Sequence, residues 1–211
     1  KIKKEYPEIK PRRAFRSTFK YQEGQPPLST SEELGVQGFQ CLSVDKKQVA
    51  QFRLDGFTFS RLPPYKDWEQ VESESKRLWE LYAEAIKPPL IKRLAVRYIN
   101  SINIPSHTFE LAKYFTEAPK VAGGLPNIVE QFFNRITISI PELAAKAIVT
   151  MATVAPSVPN VSSIMLDIDV FILVSLEYND KDIWTIFSKL RTWKNKIFQK
   201  NITEKTKELF R

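Results

Sequence analysis

The sequence has few of the residues on which most catalytic and metal sites depend. Its 211 residues include one cysteine, Cys41, one histidine, His107, and six glycines. One cysteine excludes an intramolecular disulfide framework, and one histidine excludes a histidine-rich metal site. The scattered glycines form neither a phosphate-binding loop nor a Gly-x-Ser-x-Gly nucleophile elbow. We expect Cys41 to be a packed strand residue and His107 a surface loop residue, so no cofactor is predicted.

Long hydrophobic runs are also lacking. No apolar run approaches the roughly 18 residues that a membrane-spanning helix requires, and no secretory signal pattern is present. We therefore expect no membrane association and a cytoplasmic location. The chain starts at Lys1 rather than at methionine, which predicts a fragment of a longer product.

The charge is concentrated at the two ends of the chain. The total is +8, and residues 1–20 contribute eight Lys or Arg against two Glu, a net of +6. Residues 181–211 contribute nine basic residues against three acidic ones, again +6, so the residues between them sum to −4. Basic ends of this kind bind nucleic acid or acidic partners, or form the solvated face of a helix.

The strand-like segments are bounded by proline and by polar turns. We predict a basic leader over residues 1–20 with one short helical piece, a loop from Gly24 to Gly35, and then a β-hairpin. Further strands follow in order along the chain. The hairpin strands are Val36–Val44 and Val49–Leu62, and the later strands are Leu90–Ile104, Phe132–Ile140, Ala145–Ala155 and Ser162–Glu177.

Two helices are predicted from apolar residues at helical spacing. The first runs from Asp67 to Lys87, with Asp67 as N-cap and Gln70 in the capping-box position. The second runs from Asp180 or Asp182 to about Lys200, and Asn201 is predicted to cap a short final turn. Phe109–Tyr114 is a further short helical candidate.

Together these elements predict an α+β fold. We expect a single domain with a predominantly antiparallel sheet of about six strands, covered by two long amphipathic helices. Each half has a strand that ends in serine, a Lys-Asp pair, and a helix that contains tryptophan. These parallels favour a worn internal duplication with halves 1–105 and 106–211.

Three stretches resemble a known group of proteins. They are FSRLPPYKDWEQVESESKRLWELY, IKRLAVRYINSINIP and TWKNKIFQKNITEKTKELF. In their order they resemble a sporadically distributed, mostly bacterial family of uncharacterised proteins, over most of residues 50–105 and 185–211. The resemblance implies that a further N-terminal β-strand, of the Pro-Ile-Val-Glu-Val type, is missing here. It implies no reaction, and by analogy alone it points to defence-associated settings.

The most informative charged pattern is a pair of aspartates. Asp167 and Asp169 stand two apart on a predicted strand and so project from one face, as do Arg93 and Arg97 on another strand. Three interpretations stay open, namely a Mg²⁺ site, cross-strand ion pairs, and a polar face that binds a ligand or partner. Candidate binding residues are Arg93, Arg97, Asn100, Asp167 and Asp169.

The basic ends supply the alternative site. Aromatic residues are interleaved with Arg12, Arg13 and Arg16 near one end and with Lys194, Lys196 and Lys200 near the other. No helix-turn-helix, zinc-finger or RNA-recognition motif accompanies them. We expect a non-enzymatic protein-interaction module of a bacterial multi-component system. A nucleic-acid-binding accessory subunit is the alternative, and a metal-dependent enzyme on the paired aspartates is the third.

Overall fold

The computed structural model describes residues 2–24, 26–65, 67–105, 110–125, 129–156 and 159–210. The chain divides into two compact units, residues 1–88 and 89–211. The fold is α+β, as predicted, with two antiparallel four-stranded sheets. None of the helices among the described residues has both the length and the apolar character needed to cross a bilayer.

The first unit contains four strands in the order β1-β2-β3-β4, followed by a helix. Its elements are β1 (Glu8–Lys20), β2 (Leu28–Leu42), β3 (Gln48–Arg53), β4 (Gly56–Arg61) and α1 (Trp68–Ile86). β3 pairs only with the end of β2, from Gly38 to Leu42. The remainder of the β1–β2 hairpin is therefore a two-stranded ribbon, which we call the arm and define as residues 13–20 and 28–36.

Helix α1 begins as the sequence predicts. Asp67 is the N-cap, and its carboxylate accepts hydrogen bonds from the Gln70 backbone N–H at 2.8 Å and from the Gln70 side-chain amide at 2.9 Å. These bonds satisfy an N–H that the first turn of a helix would otherwise leave without a partner. The helix ends at Lys87, which adopts a left-handed conformation and bonds back to the Ala83 carbonyl.

The core of the first unit lies between α1 and one face of its sheet. Tyr6, Cys41, Ala50 and Leu78 are buried there, and the rings of three phenylalanines pack around them. Cys41 is only 4% exposed, which confirms the packed strand residue predicted from the sequence. The three rings are those of Phe52, Phe57 and Phe59.

The second unit contains four strands in the order β5-β8-β7-β6, with a long helix on one face. Its elements are β5 (Ile91–Ile104), β6 (Phe133–Ile140), β7 (Ala145–Val154), β8 (Ser162–Leu176), α2 (Ile183–Asn201) and the short α3 (Glu204–Glu208). Alternate residues of the central strand β8, from Ile164 to Val170, are almost fully buried. These four strands and α2 match the predicted ranges within one or two residues.

The predicted single six-stranded sheet is wrong in detail. β4 pairs with β3 and β5 pairs with β8, so no ladder connects β4 to β5. The predicted strand Val49–Leu62 is two strands, because the chain turns at Leu54-Asp55 and pairs back on itself. Phe52, Phe57 and Phe59 consequently share one face, whereas an unbroken strand would have divided them.

The start of the chain also differs from the prediction. The basic leader contains β1 rather than a helical piece, and β2 begins at Leu28, inside the predicted loop. Cross-strand pairing from Glu8–Leu42 to Lys20–Leu28 stabilises this extended conformation. At the other end, Thr203 rather than Asn201 caps α3, since its hydroxyl accepts from the Thr206 N–H. Phe109 and His107 lie outside the described residues, and Leu111–Lys113 forms a 3-10 turn.

Candidate functional site

The paired charges predicted on β5 and β8 lie together on one face of the second sheet. Helix α2 covers the opposite face, where Tyr98 of β5 contacts Lys194 of the helix. Side chains alternate along a strand, so Arg93 and Arg97 project away from α2. On β8 the residues that face α2 include Leu166 and Ile168, and the aspartates project to the other side. We call this surface the Arg–Asp face; its members are Arg93, Arg97, Asp167 and Asp169.

Each arginine on this face binds an aspartate carboxylate. The Nε and Nη2 atoms of Arg97 donate to the two carboxylate oxygens of Asp167, at 2.8 and 2.5 Å. Nη2 of Arg93 donates to both oxygens of Asp169, at 3.1 and 2.8 Å. Both contacts are diagonal, because the residue directly opposite Arg97 is Asp169 and the one opposite Arg93 is Leu173. The structure thus contains the cross-strand ion pairs that were one of the three interpretations.

The electrostatics of the two pairs differ because their burial differs. The side chain of Asp167 is 11% exposed, whereas that of Asp169 is 20% exposed. The bond to Asp167 raises the pKa of the Arg97 guanidinium above its ordinary value. The Arg93 guanidinium also lies over the ring of Phe171, 4.6 Å from its centre. Both arginines keep their outer surfaces exposed.

The ion pairs limit what Asp167 and Asp169 can bind. Within the part of the chain that the structure describes, no group of three or more His, Cys, Asp or Glu side chains is arranged to hold a metal ion. The oxygens of both aspartates already accept hydrogen bonds from arginine. Ile99 and Leu173, 62% and 68% exposed, flank the charges. A surface with exposed apolar groups around satisfied charges is suited to contact with another macromolecule.

Asn100 does not belong to the Arg–Asp face. It alternates with Tyr98 on β5 and therefore projects to the side of α2. Its side-chain amide donates to the backbone carbonyl of Leu166 at 2.9 Å. This bond satisfies a half-buried polar group within the sheet, so the structure separates Asn100 from the four charged residues with which it was grouped.

The basic residues of the first unit lie on β1 beside acceptors. Arg13 pairs with Glu33, and Arg16 lies 4.0 Å from Glu32. Arg12 donates to the side-chain oxygen of Gln51 on β3. The ion pairs are exposed and so contribute little to stability, but they balance most of the positive charge of the arm locally.

The three predicted lysines of the second unit, Lys194, Lys196 and Lys200, do not share one surface. Lys194 is 8% exposed, and its ammonium lies 3.5 Å from the centre of the Tyr98 ring. Burial, with a smaller contribution from Arg191, lowers the pKa of Lys194 to about 8. Lys196 and Lys200 are exposed, and the Lys196 ammonium lies 4.1 Å from the centre of the Trp193 ring. Lys194 is therefore part of the packing beneath α2, and the other two face solvent.

Strongly exposed aromatic residues in and next to the arm were not among the predicted site residues. Phe15, Phe19 and Tyr21 are 62%, 76% and 79% exposed, and Leu28 is 61% exposed. Phe15 and Phe19 lie on one face of the arm, opposite Glu33 and Ser29 of β2. The alternation Phe15-x-Ser17-x-Phe19 indicated a strand with an apolar face, and this pattern is hidden when the segment is interpreted only as basic.

Comparison with known proteins yields no relative. No protein-family model, no curated protein and no solved structure matches the chain.

Proposed function

We propose that the chain is a non-enzymatic protein-interaction module that binds a partner protein through its arm. The observation that supports this proposal is the exposure of Phe15 and Phe19, which lie on one face of a two-stranded ribbon. Isolated exposed apolar residues are ordinary on protein surfaces. Several large ones grouped on an element without a core of its own mark an interaction site.

The geometry of the arm indicates what kind of partner fits. Its two strands are exposed on both faces, and every residue from Phe15 to Lys20 is exposed. The arm therefore gains little from burial in its own unit, and partner binding would bury its rings. A phenylalanine anchor in a well-packed interface contributes on the order of 2 kcal/mol or more to binding. We infer a folded partner with an apolar groove wide enough for a β-ribbon.

The charges of the arm favour a protein over a polyanion. Arg13 and Arg16 are balanced by Glu33 and Glu32 on the neighbouring strand. A surface that binds nucleic acid needs a net excess of basic groups directed at phosphates, and the arm carries only a small excess. The setting in a bacterial multi-component system rests on the resemblance described above.

Nucleic-acid binding is a second candidate, and it rests on α2. The helix contains five basic residues and no Asp or Glu. Lys189, Lys196 and Lys200 are exposed and fall on one face at helical spacing. A stripe of this kind is suited to a phosphate backbone, and binding would then weaken steeply as salt concentration rises.

Affinity purification from source cells, with and without nuclease, tests the proposal. The tagged protein is compared with the double variant Phe15→Ser/Phe19→Ser, and captured proteins are quantified by mass spectrometry. The matched control is Ser17→Ala/Ser31→Ala, which changes the same face of the arm without removing a ring. The captured partner is then purified, and its Kd for each variant is measured by calorimetry.

The expected result is a stoichiometric protein partner that survives nuclease treatment. Removal of the two rings should weaken its binding at least about tenfold, since 1.4 kcal/mol is a factor of ten, and the control should bind normally. Equal binding by both variants would place the contact elsewhere. Capture that nuclease abolishes, and that Lys196→Gln/Lys200→Gln weakens, would replace the proposal with nucleic-acid binding through α2.

A further inference from the structure

The two units share an arrangement of strands and helix. In each unit the last strand leads through a six-residue connection into a helix of 19 residues, from β4 to α1 and from β8 to α2. Each last strand pairs antiparallel with the strand before it in the chain. The helix packs against the last strand in both units. On this correspondence β4 is the equivalent of β8, and α1 is the equivalent of α2.

The two units differ on the outer side of that last strand. In the second unit β5 pairs along β8 from Ile91–Leu176 to Ile104–Ser162, and α2 packs on both strands. In the first unit β4 is the edge of its sheet, as far as the described residues show. Within the described part of the chain, the position that β5 occupies beside β8 thus has no counterpart beside β4.

The hydrogen-bond pattern identifies the groups that this edge presents. The Leu62 N–H donates to the Lys47 carbonyl at 2.8 Å, which fixes the phase of the β3–β4 ladder. Gly56, Thr58 and Ser60 then bond to β3, and the N–H and C=O groups of Phe57, Phe59 and Arg61 point outwards. No backbone hydrogen bond joins these outward groups to any other described segment of the chain.

The two edges of the first sheet carry different protection against pairing. β1, at one edge, includes Pro11 and five Lys or Arg residues, which are common devices against unwanted strand addition. β4, at the other edge, has the sequence GFTFSR, with no proline and one charge at its end. The β4 edge therefore lacks these protective residues and is the edge that can pair with a further strand.

Helix α1 is placed to cover one face of such a strand. It packs on the edge strand β4, with Trp79 against Phe57 at a ring-centre distance of 6.2 Å. Val71, about two turns before Trp79 in the helix, lines a small cleft together with Phe59 and Arg61. The side chains of Val71 and Trp79 are only half-buried. In the second unit the corresponding helix α2 packs on β5, whose Leu94 and Val96 are buried.

We propose that the β4 edge from Phe57 to Arg61 accepts an extended segment of a partner polypeptide as a fifth strand of the first sheet. The segment runs antiparallel to β4 and carries branched or aromatic apolar residues at alternate positions, which pack beneath α1. β5 is the template for this chemistry, since it has Leu94, Val96 and Tyr98 beneath α2. Strand addition of this kind takes affinity from the backbone and specificity from alternate side chains.

A second copy of the chain, paired through its own β4, fits this edge less well than a strand that carries no helix. Because α1 packs on β4 itself, two copies paired through β4 would bring both helices to the same face above the same edge. β5 shows that the equivalent position in the second unit is taken by a strand that has no helix of its own. This proposal goes beyond the function assigned to the arm and does not depend on it.

The test uses the whole chain and a ten-residue peptide with the sequence of β5 from Arg93 to Ile102. A scrambled peptide of the same composition is the control, because it lacks the alternation. Amide exchange is followed by NMR in the unmodified protein. On addition of the β5 peptide, the N–H groups of Phe57, Phe59 and Arg61 should become protected. Those of Thr58 and Ser60, already bonded to β3, should not change.

Variants at Arg61 give an independent measurement. Arg61→Pro removes an outward N–H without removing a bond to β3, and Arg61→Ala loses the same side chain but keeps the N–H. Peptide affinity should fall at least about tenfold for Arg61→Pro and stay within about threefold for Arg61→Ala, since only the former loses a ladder bond. Circular dichroism verifies that both fold.

Several results would overturn the proposal. They are the absence of peptide binding, equal binding of the scrambled peptide, and protection that extends to residues outside the edge. Concentration-dependent dimerisation that Arg61→Pro abolishes would identify a second copy as the occupant and would also overturn it. A failure here leaves the arm experiment unaffected, because Phe15 and Phe19 take no part in peptide binding.

Discussion

The guanidinium of Arg97 binds both carboxylate oxygens of Asp167 across the β5–β8 ladder, one row away from its direct partner Asp169. The contact matters most for the aspartate, which is 8% exposed, while the arginine keeps an exposed outer surface. Arg93 also binds an aspartate, but it is directly opposite Leu173 and reaches past Phe171 to Asp169, which is less buried. Both contacts are arginine–carboxylate ion pairs in different surroundings, so a comparison of the two tests the effect of burial.

Replacement of Arg97 by alanine should destabilise the protein more than replacement of Arg93. Arg97→Ala leaves a buried carboxylate without its two charge-assisted hydrogen bonds, and we expect a loss of about 1–2 kcal/mol in the free energy of unfolding. For Arg93→Ala we expect less than about 1 kcal/mol, because Asp169 can bind water. Urea unfolding monitored by circular dichroism measures both.

A second substitution separates lost charge pairing from lost packing. Asp167→Asn in the Arg97→Met background removes the unpaired charge, and most of the lost stability should return. Equal losses of unfolding free energy for Arg97→Ala and Arg93→Ala would contradict this prediction, because they would show that the burial of Asp167 adds nothing to the cost of losing its arginine.

The Arg–Asp face was predictable because two short patterns coincide. Asp167 and Asp169 share a face, as do Arg93 and Arg97, and strand periodicity alone puts each pair on one side of the sheet. The diagonal choice of partner was not predictable, since it depends on the register between β5 and β8. Strand alternation puts Asn100 on the opposite side of β5 from Arg93 and Arg97.

The second unit was predictable almost to the residue, and the first was not. β5, β7 and β8 each have a buried face, and a proline follows β5, β6 and β7 within two residues. The arm has no buried face, and its one alternating stretch, Phe15-x-Ser17-x-Phe19, is too short to predict two long strands. The turn at Leu54-Asp55 was missed although Asp55-Gly56 is a recognised hairpin dipeptide.

Lys194 should make stability depend on pH in the alkaline range. Its pKa is lowered to about 8 in the folded protein, below the ordinary lysine value near 10.4. The unfolded chain therefore binds more protons between about pH 8 and 10, and the free energy of unfolding should rise with pH through that window. Below about pH 8 Lys194 is charged in the folded protein as well, so the whole cost of burying the ammonium is subtracted from the free energy of unfolding.

Lys194→Met tests this effect directly. Methionine fills a similar volume against Tyr98 without a charge, so we expect it to stabilise the protein at neutral pH by on the order of 1–2 kcal/mol. The gain should shrink as the pH is raised to 10, which thermal unfolding at several pH values will show. Lys196→Met, at an exposed position, is the control. A gain that does not vary with pH would mean that the packing of the methionine side chain, rather than removal of a buried charge, stabilises the variant.

Tyr6 links the start of the chain to α1 and to β3. The ring is 1% exposed, and the hydroxyl lies 2.7 Å from Oε1 of Glu74 and 2.7 Å from Oε1 of Gln48. Burial and the Glu74 carboxylate raise the pKa of the Tyr6 phenol, so its proton stays in place over the whole physiological range. Tyr6→Phe keeps the ring and removes the hydroxyl, and we expect a loss of about 1–2 kcal/mol in stability.

Tyr21→Phe is the matched control for Tyr6→Phe, because Tyr21 is 79% exposed. It should leave the midpoint of thermal unfolding unchanged. An unchanged midpoint for Tyr6→Phe as well would show that water replaces the hydroxyl without cost, contrary to the burial of this site.

At Gly38 the strand β2 is flanked by paired strands on both sides, since Gly38 pairs with Arg12 of β1 and with Arg53 of β3. Its φ is +156°, and a Cβ here would lie 2.3 Å from the Phe52 carbonyl oxygen and 2.7 Å from the Arg53 Cα. Both are backbone atoms of β3, so the clash cannot be relieved by a side-chain rotation. Gly38→Ala should therefore force β2 away from β3 and lower the free energy of unfolding by about 3 kcal/mol or more.

Gly24→Ala separates the steric effect from backbone strain. Gly24 also has a positive φ, of +78°, but a Cβ there meets no atom within 4 Å. This control should cost only about 1 kcal/mol, from the left-handed conformation alone. Chemical denaturation of the two variants measures the difference. If they cost the same, the close approach of β3 is relieved by a small shift, and β2 is not held at Gly38. If Gly38→Ala costs much more, the close approach of β2 to β3 at Gly38 is essential to the sheet from which the arm extends.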